Sequence, residues 1–146
     1  MGNMRTGHIA WNASQVWERL FVGSLTDAEE LADDNPDAIT TVISLSEITV
    51  KARREDVNYV HLPIEDDMPV PVLQFYGVID AIRKNIRWGI VLLHCGVGVS
   101  RAPSLAAAYM DVVGYKGIDA AIKEIRKARP FIHPSDVLLN SIRRYL

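Results

Sequence analysis

The 146-residue chain contains a single cysteine, Cys95, in the stretch Val91-Leu92-Leu93-His94-Cys95-Gly96-Val97-Gly98-Val99-Ser100-Arg101. The apolar run from Ile90 to Leu93 predicts a short buried strand, and Gly96 and Gly98 predict a turn directly after the cysteine. Ser100 to Met110, rich in alanine and with Pro103 in a first-turn position, predicts a helix. A strand–loop–helix turn of this kind converges backbone N–H groups and the positive end of a helix dipole on one point. Glycines let consecutive N–H groups form an anion-binding nest, and Arg101 adds a planar two-pronged donor. The same field favours thiolate over thiol at Cys95. A thiolate on the floor of a phosphate-sized cradle, five residues before an arginine, points to attack on phosphorus.

Such an attack needs a partner. Expelling an alkoxide or phenoxide from a phosphate monoester requires protonation of the departing oxygen, and hydrolysis of the resulting adduct requires a base. A carboxyl group on a loop over the pocket serves both steps. Glu65-Asp66-Asp67-Met68-Pro69-Val70-Pro71 lies between a predicted strand, Asn58 to Ile64, and a predicted helix starting at Val72. Asp66 and Asp67 are its two candidate aspartates. Neither is well placed to cap a helix that begins near Pro71.

The pattern His94-Cys95-x-x-Gly98-x-Ser100-Arg101 resembles the signature of the cysteine-dependent protein tyrosine phosphatases, in the form found in dual-specificity phosphatases. The loop of Asp66 and Asp67 resembles the general-acid loop of the same superfamily. The spacing of Asp67, four residues before Pro71, is similar to that of several members and makes it the first choice, with Asp66 close behind. The likeness extends from about Val16 to Tyr145. It implies an α/β single domain with a mostly parallel sheet of four to five strands flanked by helices. It also implies a cofactor-free, metal-independent phosphatase that hydrolyses phosphotyrosine and phosphoserine or phosphothreonine through a phosphocysteine. In that scheme Cys95 is the nucleophile, Arg101 and the loop Gly96, Val97, Gly98, Val99, Ser100 bind the phosphoryl group, and His94 braces the loop. Two rival classes stand beside it: a phosphate-binding pseudophosphatase, and a phosphatase of lipid, nucleotide or RNA phosphates. One position departs from the family. The residue after the signature arginine, usually Ser or Thr, is Ala102, which predicts a slow second step unless Ser100 or Ser104 substitutes. The loop contains no lysine, favouring monophosphorylated side chains over polyphosphorylated inositol lipids.

The rest of the chain agrees with a scaffold for that site. Length predicts one domain over 1–146, with 1–15 peripheral or poorly ordered, and probes of composition are ordinary: 49% hydrophobic and 23% charged residues. A net charge of −2 gives no pull toward nucleic acid, and no apolar run reaches membrane-spanning length. One cysteine rules out an internal disulfide framework and fits a reducing, cytoplasmic compartment. A monomer acting on phosphorylated protein is the expected assembly. Met1 to Thr6 formally matches an N-myristoylation pattern, with chance occurrence the stronger account. Thr26-Asp27-Ala28-Glu29 reads as a capping box opening a helix to about Asp34. Ile39 to Leu45 predicts a buried strand, and Trp11 to Val22 one or two strands. Lys51, Arg53 and Arg54 read as a solvated loop first and a basic substrate-gathering rim second; His61 reads as a packing residue. Phe75, Ile79, Ile82 and Ile86 mark one inward helix face, as do Ile118, Ile122 and Ile125, and then Leu138, Ile142 and Tyr145.

Overall fold

A computed structural model describes residues 12–114 and 116–146. The lipidation pattern at Met1 to Thr6 lies outside the described residues. Five strands and five helices follow one another as β1 (Ser14–Trp17), β2 (Leu20–Gly23), α1 (Leu25–Glu30), β3 (Ile39–Ser44), β4 (Asn58–His61), α2 (Val72–Ile86), β5 (Ile90–His94), α3 (Arg101–Val112), α4 (Ile118–Ala128) and α5 (Asp136–Tyr145). The sheet order is β1-β2-β5-β3-β4. Only β1 runs antiparallel, to β2; the pairs β2–β5, β5–β3 and β3–β4 are parallel. Ser14 and Gln15, within the stretch expected to be peripheral, belong to this antiparallel edge strand.

Strand β5 occupies the middle of the sheet because both of its faces are apolar. Val91 and Leu93 face the larger core, shared with α2 to α5, while Leu92 faces a smaller one formed with Ala28, Leu31, Val42, Val50 and Val57. The same period-two alternation places Leu20 and Val22 in the larger core and Phe21 in the smaller. All parallel strands point their carboxyl ends to one edge, where an open α/β sheet binds its ligands. Cys95 is the first residue beyond β5 at that edge.

The helices match the expected inward faces with two adjustments. In α2 the buried set is Phe75, Val78, Ile79 and Ile82, and Ile86 is only half-buried at the frayed end. The capping box of α1 lies two residues earlier than expected. Ser24 Oγ accepts from the Asp27 N–H at 3.1 Å, and Asp27 Oδ2 accepts from the Ser24 N–H at 2.9 Å. Glu29 is thereby free for another use: its carboxylate accepts the backbone N–H groups of Lys51 and Ala52 at 2.7 and 2.8 Å. These two bonds hold its carboxyl below the usual carboxylate range.

Candidate active site

The phosphate-sized loop is shaped by what holds its carbonyl groups. Across a trans peptide the C=O of one residue and the N–H of the next point in opposite directions. Each carbonyl from Cys95 to Ser100 is engaged by the protein. His94 Nδ1 lies 3.0 Å from Cys95 O, Leu25 N donates to Gly96 O at 2.9 Å, and His133 N donates to Val99 O at 2.8 Å. Arg129 donates through Nη2 to Val97 O at 3.4 Å and through Nε to Gly98 O at 2.8 Å. Ser100 O accepts from Ser104 N and Oγ. With the carbonyls turned into the protein, the N–H groups from Gly96 to Arg101 turn toward the space above Cys95, the concave arrangement that binds anions.

Four residues build this loop from behind. His94 is fully buried, and burial pushes its pKa down, so it is neutral. A carbonyl cannot donate, so the Nδ1–H belongs to the bond with Cys95 O; Nε2 then accepts the Ser44 hydroxyl at 2.6 Å. Arg129 is also fully buried, and burial lowers its pKa while Asp27 and Cys95 oppose that shift. Its Nη1 reaches on to Asn12 O and Ser14 Oγ, tying the edge strand to the loop. Gly98 has φ +72°, and a Cβ there would sit 2.5 Å from Arg129 Nη2 and 2.7 Å from Gly23 O. The clamp and a side chain exclude each other, so this glycine is obligatory. Leu25, at the start of α1, completes the set.

Cys95 is 2% exposed, and its Sγ accepts the Ala102 N–H at 3.3 Å. Neither serine expected to replace the missing hydroxyl is turned to the sulfur: Ser104 Oγ donates to Ser100 O at 2.7 Å, and Ser100 Oγ accepts the Ser135 N–H at 2.9 Å. Arg101 is divided between protein and pocket. Its Nη1 donates to Glu47 Oε1 at 2.8 Å, Ile64 O at 3.1 Å and Leu45 O at 3.5 Å. A Glu47 backbone N–H bond and the Arg101 guanidinium hold the Glu47 carboxyl below its ordinary range. These contacts leave the Nε–Nη2 edge, the two-pronged donor, for an anion.

Both loop carboxylates line the same cleft as Cys95 and Arg101, a space of about 660 Å³ also bordered by Val97, His133 and Asp136. Asp66 Oδ1 lies 4.0 Å from Arg101 Nε. Asp67 has φ +55°, and its Oδ1 accepts the Ser135 hydroxyl at 2.8 Å. The loop is pinned at its far end by α5: Val70 N donates to Ser141 Oγ, and Tyr145 Oη donates to Val70 O.

Of the two readings of Lys51, Arg53 and Arg54, the structure agrees with the first, a largely exposed loop, and not with the basic rim. Lys51, Arg53 and Arg54 are absent from the cleft wall. Arg53 donates to Val50 O and lies over the Tyr59 ring; Arg54 serves Leu31 O and Asp56. The two arginines brace the β3–β4 connection instead. His61 is exposed rather than packed, with Nε2 2.7 Å from Ser46 O. Glu47, Arg129 and Ser135 were not foreseen at the site. None of the three carried a local signal: even Arg129, before Pro130, is an ordinary residue for a helix end, where a cation complements the dipole.

Among the described residues no group of His, Cys, Asp or Glu side chains is arranged to hold a metal ion, and no helix is long and apolar enough to cross a membrane.

Comparison with known proteins agrees with this geometry. The family model described as dual specificity phosphatase, catalytic domain, matches residues 20–146. Bovine dual specificity protein phosphatase 18 is 31% identical over 125 residues, covering 84% of this chain and 66% of its own length. Human dual specificity protein phosphatase 15 is 28% identical over 120 residues, covering 80% of this chain and 40% of its own length. The chain thus spans between two fifths and two thirds of these relatives. The crystal structure of DUSP15 superposes with a TM-score of 0.82 at 25% identity, covering 92% of this chain and 87% of that one. The chain belongs to the dual specificity phosphatase catalytic-domain family.

Proposed function

We propose that this domain hydrolyses phosphate monoesters on protein side chains, phosphotyrosine and phosphoserine or phosphothreonine, through a phosphocysteine at Cys95. The observation that carries the reading is the loop whose carbonyls are all engaged by the protein, with the buried Cys95 at its floor and the Arg101 fork at its rim. N–H groups and guanidinium take the equatorial oxygens, and sulfur attacks in line. Family membership and an assembled set of Cys95, Arg101, Asp66 and Asp67 favour catalysis over a phosphate-binding pseudophosphatase. The cleft wall carries Asp66, Asp67 and Asp136 against one guanidinium, an arrangement that repels additional phosphates and favours a singly phosphorylated side chain over polyphosphorylated lipid, nucleotide or RNA. A substrate panel tests this. Phosphopeptides are expected to show higher kcat/KM than phosphoinositides or 5′-phosphorylated nucleotides and RNA; the opposite order overturns the protein-substrate reading.

The two carboxylates receive different roles. Asp66 lies against the guanidinium that binds the phosphoryl group, so it is nearer the oxygen that must be protonated. Asp67 spends Oδ1 on Ser135. We assign the general acid, and then the base for water, to Asp66, and the fixing of the loop to Asp67; this reverses the order of preference drawn from spacing. Because general acid catalysis contributes about 10²–10⁴-fold, Asp66→Asn is expected to lower kcat on phenyl phosphate by at least about 10² and to erase the alkaline limb of the pH profile. Asp67→Asn keeps an acceptor for Ser135 and costs less. A larger loss for Asp67→Asn returns the proton to that residue.

Ala102 shapes the second step. The departing thiolate has the Ala102 N–H but no hydroxyl at that position. A hydrogen bond to a charged group contributes about 1.5–3 kcal/mol, so hydrolysis of the intermediate is expected to be slower by roughly 10- to 100-fold than with a hydroxyl present. Rapid mixing of the wild type with p-nitrophenyl phosphate should show a burst, and Ala102→Ser should raise the steady-state rate and shrink it. Equal steady-state rates without a burst would show that sulfur leaves unaided.

A further inference from the structure

We infer that Ser135 is a positioning residue that couples the general-acid loop to the phosphate-binding loop, an inference that rests on the phosphatase reading above. Three bonds meet at this one residue. Its N–H donates to Ser100 Oγ at 2.9 Å, its Oγ donates to Asp67 Oδ1 at 2.8 Å, and the same Oγ accepts the Leu138 N–H at 3.3 Å as the N-cap of α5. The Leu138 N–H takes one acceptor lone pair of the hydroxyl, and its single proton goes to Asp67 Oδ1. Two residues earlier, His133 N donates to Val99 O at 2.8 Å. The segment 133–135 is thus pinned twice to the phosphate loop, and Ser135 carries that anchorage across the cleft to the acid loop.

The acid loop needs such an anchor in its middle. Its ends are fixed elsewhere, by Arg101 to Ile64 O and by Ser141 and Tyr145 to Val70. Between them, Asp67 holds φ +55°, a conformation that side-chain-bearing residues adopt at a cost and that surrounding contacts must impose. The Asp67 carboxylate is the hydrogen-bonded handle of this turn, and Asp66, the neighbouring residue, takes its place over the cleft from the turn's shape. Releasing the handle lets Asp66 stray from the leaving oxygen while Cys95 and Arg101 keep their own contacts.

This coupling separates from simple helix capping by substitution. Ser135→Ala loses both cap and tether. Ser135→Asp keeps a cap acceptor for the Leu138 N–H but has no proton for Asp67 and repels it. Ser135→Thr keeps both. The measurement is kcat/KM over a series of aryl phosphates of graded leaving-group basicity, together with hydrogen exchange of the amides from Glu65 to Val70. Loss of acid positioning should steepen the dependence on leaving-group basicity, with the rate on phenyl phosphate falling about tenfold or more and that on p-nitrophenyl phosphate falling less, because the latter depends least on protonation. The expected result is a steeper dependence and faster loop exchange in both Ser135→Ala and Ser135→Asp, with Ser135→Thr restoring both readouts. If Ser135→Asp matches the wild type, Ser135 is only a helix cap and the inference is overturned. Uniform losses across the aryl series, with exchange in the loop unchanged, overturn it as well. A wild type whose turnover survives Cys95→Ser would instead strike at the phosphatase reading, while the exchange data would still decide whether the tether exists.

Discussion

Turnover is expected to vanish in Cys95→Ser while the binding of inorganic phosphate or tungstate persists. The cradle does not depend on the sulfur: the carbonyls of residues 95–100 are held by His94, Leu25, Arg129, His133 and Ser104, none of which contacts Sγ. The one hydrogen-bond donor to sulfur among the described residues, the Ala102 N–H, can bond to a serine hydroxyl equally well. What is lost, on the proposed mechanism, is the nucleophile, since an alcohol at this position has no base to ionise it. Removing a nucleophile while keeping binding and polarisation costs on the order of 10⁵-fold or more in kcat. Steady-state hydrolysis of p-nitrophenyl phosphate and calorimetric titration with tungstate test both halves together. Residual turnover above about 1% of wild type, far more than the nucleophile's share allows, would mean that the reaction runs through another group.

The second large effect concerns Arg101, where lysine keeps the charge and destroys the function. In the proposed mechanism the guanidinium meets protein and substrate at once, with Nη1 committed to Glu47, Ile64 O and Leu45 O and the opposite edge left for the phosphoryl group. An ammonium is a single point and cannot satisfy both. If it stays with Glu47 and the carbonyls, the equatorial oxygens lose their two-pronged donor; if it turns to the phosphate, Glu47 and the buried Ile64 carbonyl lose theirs, while Leu45 O keeps only the Ile64 N–H. Loss of one donor to a developing oxyanion typically costs about 10²–10³-fold, and losing the fork should cost about 10³-fold in kcat/KM for Arg101→Lys. Kinetics with the p-nitrophenyl ester, alongside a thermal melt to confirm folding, provide the check. A loss under tenfold would show that backbone N–H groups alone carry the phosphoryl group.

Local sequence was informative wherever neighbours along the chain are neighbours in space. The cysteine, two glycines, Ser100 and Arg101 lie within one short stretch, so their types and spacing suggest an anion cradle, and the structure brings Cys95, Ser100 and Arg101 to one cleft. The inward faces of α4 and α5 followed from 3.6-residue periodicity, and β5 from its unbroken apolar run between two cores. The α1 capping box was legible as a motif but not in register. Ser24-Leu25-Thr26-Asp27 and Thr26-Asp27-Ala28-Glu29 both fit the pattern, and contacts from distant segments chose between them: Leu25 N bonds Gly96 O, and Glu29 is taken by Lys51 and Ala52.

The remaining features belonged to tertiary structure, because each joins residues that no local pattern relates. Arg129 and Gly98 are 31 residues apart, Arg101 and Glu47 are 54 apart, and Ser135 and Asp67 are 68 apart. Arg129 sits in a helix end, Glu47 in a loop after β3 and Ser135 at a helix cap, each with an ordinary local explanation. Likewise, two adjacent carboxylates differ only in what they face: one meets Arg101, the other Ser135. The proposed chemistry rests on one loop of sequence, where backbone geometry and residue type suffice to suggest it. Its orientation was decided by side chains reaching across the carboxyl edge of the sheet, where only the fold brings donor and acceptor within hydrogen-bond distance.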